Sequence, residues 1–345
     1  MTDSLTIRQP DDWHLHLRDG DMLKLVAPYS ARQFRRAIVM PNLVPPVTTV
    51  AAAFDYRRRI LDAVGAGSDF EPLMTAYLTD TIDPDEISRG FEQGVLTACK
   101  LYPAGATTNS ESGVTDIRKI DAVLARMEAI GMPLLIHGEV TTSDIDIFDR
   151  ERVFLERILG PTMDRFPELR IVLEHITTAD SVRFVLAGGD NIAATITAHH
   201  LRIDRNDMLA GGIRPHLYCL PVAKRRTHKE ALREIVTTGS PKFFLGTDSA
   251  PHARSAKESA CGCAGIFSAP VALESYAQTF DELQCLDMLS GFASEHGPRF
   301  YRLPLNEGTV TLERSGLKVA DLIDPDGFSI TPYHAGERLD WRLAR

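Results

Sequence analysis

Along most of the chain, short apolar runs that end in polar residues alternate with longer stretches of helical periodicity. The apolar runs lie at residues 13–17, 37–40, 73–78, 95–101, 133–136, 170–174, 192–198 and 242–246. Several are almost continuously hydrophobic, as strands covered on both faces are. Helices are predicted at 48–64, 83–93, 115–129, 149–166, 179–186 and 224–236. Their ends carry the expected punctuation. Pro84 opens one, and Gly131, Pro167, Gly188-Gly189 and Gly239 follow others. Eight strands alternating with helices predict an α/β fold, a closed parallel (β/α)8 TIM barrel. An open doubly wound sheet is the alternative, but no glycine-rich phosphate loop follows any strand. No linker, low-complexity segment or composition shift divides the chain, so residues 1–345 read as a single barrel catalytic domain. A short C-terminal extension follows the barrel pattern, with a helix predicted at 280–292 and a hairpin around 306–312.

Composition narrows the function classes. A chain of 345 residues, 44% hydrophobic and 25% charged, can bury a large core. Its formal net charge of −9 argues against a nucleic-acid surface. A local cationic pocket for a small anionic substrate stays open. The N-terminus carries no basic and apolar leader, and no apolar run reaches transmembrane length. Five cysteines without scaffold spacing fit a reducing compartment. The expectation is a soluble cytoplasmic protein with no membrane partner.

In such a barrel the site is built at the C-terminal ends of the strands. Strand one runs into Asp12-Trp13-His14-Leu15-His16-Leu17-Arg18-Asp19. Residues i and i+2 of a strand share a face, so His14 and His16 aim at one point with Arg18 on the same side. The later strand ends supply Asn42, Lys100, His137, His175 and Asp248. Each alone reads more simply as a satisfied structural residue. Four His, one Lys and one Asp at one mouth point instead to a metal centre, which partners groups otherwise costly to bury. Lys100 is the odd member, because an ammonium cannot ligate a cation. A salt bridge to Asp248 or Glu139 is one reading. The other is a carbamate, formed when a neutral buried amine adds carbon dioxide. Its two oxygens can bridge two metals.

This ligand order is similar to that of the amidohydrolase superfamily. The segments Met40-Pro41-Asn42-Leu43, Lys100-Leu101-Tyr102-Pro103-Ala104-Gly105-Ala106-Thr107-Thr108-Asn109 and Gly246-Thr247-Asp248-Ser249-Ala250-Pro251-His252 make the likeness closer. So do Gly211-Gly212-Ile213-Arg214-Pro215-His216-Leu217-Tyr218-Cys219-Leu220-Pro221 and Cys261-Gly262-Cys263-Ala264-Gly265. Together with the strand-one motif they resemble the dihydroorotase family of bacteria, from about Asp12 to the C-terminal region. His14 stands so early that no β-domain is expected before the barrel, so the resemblance is to the short, barrel-only type. It implies a cyclic amidohydrolase of de novo pyrimidine (UMP) biosynthesis, interconverting N-carbamoyl-L-aspartate and L-dihydroorotate. It implies two Zn2+ per subunit, bridged by N6-carboxylated Lys100 and a hydroxide. One ion would be held by His14, His16, Lys100 and Asp248, the other by the same carbamate with His137 and His175. Asp248 would also be the catalytic base. Arg18, Asn42 and His252 would hold the substrate carboxylate, and Leu220 and Ala264 would offer backbone groups to the ring. Thr107 and Thr108, in the 105–113 loop, would close over the substrate, and the enzyme would be a homodimer. A hydantoinase would share the ligands but gives no reason for the carboxylate set. Intact ligands argue against a scaffold that has lost its metals. Cys261 and Cys263 lack a second Cys pair or nearby His and more simply shape the pocket. His199, His200, Glu139 and Glu174 are candidates to support the ligands from behind, without assigned roles.

Overall fold

The computed structural model describes residues 3–325 and 328–344. Eight parallel strands follow one another in chain order in a single sheet. They are Asp12–Leu15, Arg36–Val39, Glu71–Tyr77, Ala98–Leu101, Leu134–Ile136, Ile171–Leu173, Ile192–Ile196 and Phe243–Leu245. Helical segments separate every neighbouring pair. The sheet curls round until Leu15 bridges Ser249, just beyond strand eight. There His16 N donates to Ser249 O at 3.0 Å and Asp248 N to His14 O at 2.8 Å. This is the (β/α)8 barrel that the alternation predicts.

The two-residue period of a strand sorts the interior into layers. Trp13, Ile38, Leu73, Ala98, Leu135, Val172, Ala193 and Phe244, one from each strand, belong to one apolar cluster. Two residues further on, strands four to seven present Lys100, His137, Glu174 and Thr195, all buried. A polar layer therefore lies on an apolar plug, at the C-terminal end. Strand one shifts register between Asp12 and Leu15, and gives Trp13 to the plug and its neighbour His14 to the polar layer. Outward residues such as Val39, Ala76, Leu101 and Ile136 pack under the helices in a second, larger core.

Three features differ from the expectation. The helix Gly20–Ala31 was not anticipated; Pro28 lies inside it, and Asp19 caps it by accepting from Gly20 N at 2.9 Å. The helix predicted at 280–292 is two helices, Ala272–Glu282 and Leu289–Ser294. Gln284 adopts the left-handed conformation between them, with φ 59°, and ends the first. Phe280 and Phe292 meet across the break, their rings 5.3 Å apart, which is why their spacing reads as one stripe. The hairpin expected around 306–312 is instead a strand, Thr309–Glu313, pairing antiparallel with Ser4–Arg8 and Arg342–Leu343. Its partners are the two ends of the chain, so no local turn marks the pairing.

The helix His296–Tyr301 caps the plug from below. His296 Nδ1 donates to Phe243 O at 3.0 Å, and Tyr301 stacks on Trp13 with centroids 4.3 Å apart. Gly297 lies so close to Trp13 that a β-carbon would stand on the indole. Gly297→Ala should therefore cost about 1–3 kcal/mol by overpacking. Thermal unfolding followed by circular dichroism should show a lower Tm. Helix propensity alone predicts the opposite sign, so a raised Tm would refute the packing argument.

Candidate active site and metal centre

The fold gathers His14, His16, Lys100, His137, His175 and Asp248 at the C-terminal end of the barrel. The donor atoms of His14, His16 and Asp248 lie within 4.8 Å of one another. His14 Nε2 is 3.4 Å from His16 Nε2, and Asp248 Oδ1 is 3.4 Å and 3.2 Å from those two nitrogens. A tetrahedron with metal–ligand bonds of about 2.0–2.1 Å has edges of about 3.3–3.4 Å. The three donors are thus spaced as corners around one ion. The ring of His175 follows 4.8 Å from that of His14, and the ring of His137 lies 4.9 Å beyond it.

Three of these four rings are oriented from behind. His14 Nδ1 donates to Glu174 Oε2 at 2.9 Å, and His16 Nδ1 to Asn42 Oδ1 at 2.8 Å. His137 Nε2 donates to Glu139 Oε2 at 2.8 Å. In each case the second ring nitrogen keeps its lone pair for a cation. Burial pushes His14, His16 and His175 well below the usual imidazole range, which holds them in the neutral, ligating form. His175 N donates to Thr195 Oγ1 at 2.7 Å, and that hydroxyl donates to Glu174 Oε2 at 2.6 Å. One chain of bonds thus joins strands one, six and seven. Burial pushes the Glu174 carboxyl up to about 7, with Lys100 and the Thr195 bond opposing. Gly246 leaves room for this chain, because a β-carbon there would come within 2.7 Å of Thr195 Cβ and 3.2 Å of His14 Cβ. Arg18, His175 and Asp248 all have left-handed backbones, with φ of 58°, 41° and 43°. Such strain costs about 1–3 kcal/mol a residue and persists where the surroundings hold it.

Lys100 makes neither of the salt bridges considered for it. It is 0% exposed, and its Nζ has no hydrogen-bond partner among the described residues. Asp248 is turned to His14 and His16, and Glu139 to His137. The Tyr102 ring lies 5.0 Å from Nζ. Burial pulls the ammonium down to about 8, against the pull of Glu174 and Asp248. His199 and His200 lie apart from this group, beside Cys219. Both nitrogens of His200 are engaged, by Thr197 Oγ1 at 2.9 Å and Pro221 O at 3.1 Å.

A small cavity opens over the cluster. Its walls include His16, Arg18, Asn42, Thr107, Thr108, His137, His175, Leu220, Asp248 and Ala264. His14 and Lys100 are buried behind the wall. Tyr102, Ala250 and Gly265 line it too, and the sequence reading missed them. Tyr102, two residues beyond Lys100 and so on its face, could have been found; Ala250 and Gly265 carry no chemical signal. A larger groove lies beside Glu139 and Phe154, but no histidine lines it. Arg18 does not pair with Asp19, which Arg59 holds at 2.8 Å. Arg18 Nε donates to Pro251 O at 3.1 Å. His252 Nε2 is 3.0 Å from both an Arg18 nitrogen and Ala264 O. Burial first, and then Arg18, push His252 down to about 3, so the ring is neutral. Asn42 Nδ2 donates to Thr108 O at 3.0 Å, and Thr108 Oγ1 to Ala264 O at 3.4 Å. These bonds tie the 105–113 loop across the mouth.

The amidohydrolase family profile matches residues 11–320. The chain is 64% identical over 343 residues to a dihydroorotase of Sphingopyxis alaskensis, covering 99% of this chain and all of that one. The structure matches a dihydroorotase of Campylobacter jejuni with a TM-score of 0.92 at 38% identity, over 100% of this chain and 98% of that one. It matches a Saccharomyces cerevisiae dihydroorotase, solved with 5-fluoroorotic acid, with a TM-score of 0.92 at 32% identity, over 99% of each chain. The chain belongs to the amidohydrolase family. Its place there is among the dihydroorotases, hydrolases that act on a cyclic amide. The family points to a metal cofactor, and His14, His16 and Asp248 offer donors for one.

Glu174→Gln keeps the shape but removes the charge that holds His14. Metal affinity should fall about 10–100-fold, as for other partners of ligating histidines. Metal content after dialysis against graded chelator measures it. Retention equal to that of the unaltered protein would free Glu174 of this role.

Proposed function

We propose that this dihydroorotase is a two-zinc enzyme of de novo pyrimidine biosynthesis that reversibly cyclises N-carbamoyl-L-aspartate to L-dihydroorotate. The observation that carries the reading is one small cavity lined both by neutral imidazoles with Asp248 and by Arg18 with Asn42. The yeast relative solved with 5-fluoroorotic acid held a pyrimidine that bears a carboxyl group, the kind of ligand such a cavity would suit. A hydantoinase reading leaves Arg18, Asn42 and His252 without a substrate carboxylate. The cytoplasmic location and the homodimer implied by the resemblance belong to the same proposal. No helix among the described residues is long and apolar enough to cross a membrane.

The donors fit the metals. Three stand at coordination spacing, and Lys100, buried without a hydrogen-bond partner and pulled toward its neutral form, suits a carbamate, whose N–C bond forms as the amine adds carbon dioxide and loses a proton. His14, His16, carboxylated Lys100 and Asp248 would hold one zinc, and the same carbamate with His137 and His175 the other. When bound, the two ions supply a polarised carbonyl and an activated hydroxide. The remaining work falls to side chains. The guanidinium of Arg18 can fork onto the substrate carboxylate, with the Asn42 amide and the neutral His252 ring as further donors. Leu220 and Ala264 can bond the ring through their backbones; the Leu220 N–H has no partner among the described residues. Thr107 and Thr108 would shut out water as their loop closes. In ring opening the Asp248 carboxylate would take the proton of the attacking hydroxide and return it to the ring nitrogen as the C–N bond breaks. Ring closure is the reverse, and needs that carboxyl protonated.

An absorbance assay should show opening of L-dihydroorotate, with hydantoin and dihydrouracil, which lack the carboxylate, as poor substrates. Arg18→Met should raise KM for dihydroorotate while metal is retained, a loss of about 1.5–3 kcal/mol for a charge-assisted contact. Unchanged kinetics would take Arg18 out of the carboxylate site.

Lys100→Ala should lose both activity and metal, and added acetate or propionate should restore part of each by filling the gap. A variant that keeps two metals and full activity would overturn the carbamate.

A further inference from the structure

Lys257 ends the short helix Arg254–Lys257 and is only 3% exposed. Its ammonium donates to Tyr218 O at 2.7 Å, Cys263 O at 2.7 Å and Gly265 O at 2.9 Å. Three N–H groups meet three carbonyls, so the group is saturated. No carboxylate pairs with it among the described residues. The carbonyls belong to two segments, residues 218–220 and 263–265, that are neither helix nor strand. Gly265 N donates to Tyr218 O at 3.0 Å and joins the same two segments directly. Leu220, Ala264 and Gly265, in these segments, line the cavity. The Ala264 carbonyl, between the two that Lys257 holds, lies against His252 and Thr108 instead.

Segments without a ladder of their own take their shape from whatever ties them down. A buried ammonium is an expensive tie, and an apolar side chain of similar length would fill the space at lower cost. What an apolar chain cannot do is hold three carbonyls at set points with charge-assisted bonds. We propose that Lys257 is a positioning residue that fixes the Leu220 and Ala264 backbones for the substrate ring, and so sets affinity for the ring without taking part in bond breaking. The inference rests on the reading of this cavity as the dihydroorotate site.

The test compares Lys257→Met and Lys257→Gln with the unaltered holoenzyme by steady-state opening of L-dihydroorotate, metal content and Tm. The Met variant should raise KM about ten-fold with kcat within about two-fold, because the binding lost is common to ground and transition states. The Gln variant keeps two N–H donors and should fall between. Metal content should not change. A merely structural role would lower Tm and the active fraction, so that kcat falls while KM stays. Unchanged KM in both variants overturns the proposal. If the Met variant does not fold, the Gln variant decides alone. Should the unaltered enzyme open dihydroorotate while the variants keep its KM, only the role of Lys257 fails. Should the unaltered enzyme not open it, the reading of the cavity fails and this proposal with it.

Discussion

The seam where strand eight meets strand one is the constraint on which the rest depends. The buried Asp12 carboxylate accepts Thr247 N at 2.9 Å, Thr247 Oγ1 at 2.6 Å and His14 N at 3.2 Å. Burial raises this carboxyl to about 7, with the Thr247 bonds opposing most strongly. Beside it the backbones of His14 and Asp248, and of His16 and Ser249, exchange the bonds that close the sheet. The candidate ligands His14, His16 and Asp248 thus come from both sides of one seam. Closing the barrel therefore brings that donor triangle together.

Burial does the electrostatic work beneath the cavity. The apolar plug below and the packed strands around it leave little water, so the charged forms of imidazole and ammonium are disfavoured together. The histidines become neutral donors and Lys100 is pulled toward the amine. Glu174 and Glu139 answer two of the ring N–H groups and leave the opposite nitrogens to the cavity. A solvated version of the same residues would hold Lys100 more firmly as the ammonium, which repels a cation.

Chemistry and recognition sit on different kinds of structure. The candidate ligands stand on or just beyond strands, whose neighbours fix them on both sides. The groups proposed for the substrate sit on segments tied by a few separate bonds: Asn42 to Thr108, Thr108 and His252 to Ala264, and Lys257 to Tyr218, Cys263 and Gly265. The donors are thus anchored in the ladder, while the mouth is tied by side-chain bonds outside it.

The periodic part of this design was legible in the sequence. That His14 and His16 share a face follows from their spacing, and the place of Lys100 at the end of strand four follows from the apolar run that precedes it. Alternation of apolar runs with helical stretches was enough for the barrel, and the motifs were enough for the family. What was not legible depends on residues far apart in the chain. The strand Thr309–Glu313 reads as part of a local hairpin because its partners, Ser4–Arg8 and Arg342–Leu343, are remote in the chain. Glu174 acquires a role only when strand six brings it to His14, 160 positions away in the chain. Lys257 reads as a surface lysine in the polar stretch Arg254-Ser255-Ala256-Lys257-Glu258-Ser259, until the carbonyls of Tyr218, Cys263 and Gly265 surround it. Periodicity is a local property of the backbone and can be read residue by residue. Partnership between distant polar groups exists only after the chain has closed, so tertiary structure alone decided it.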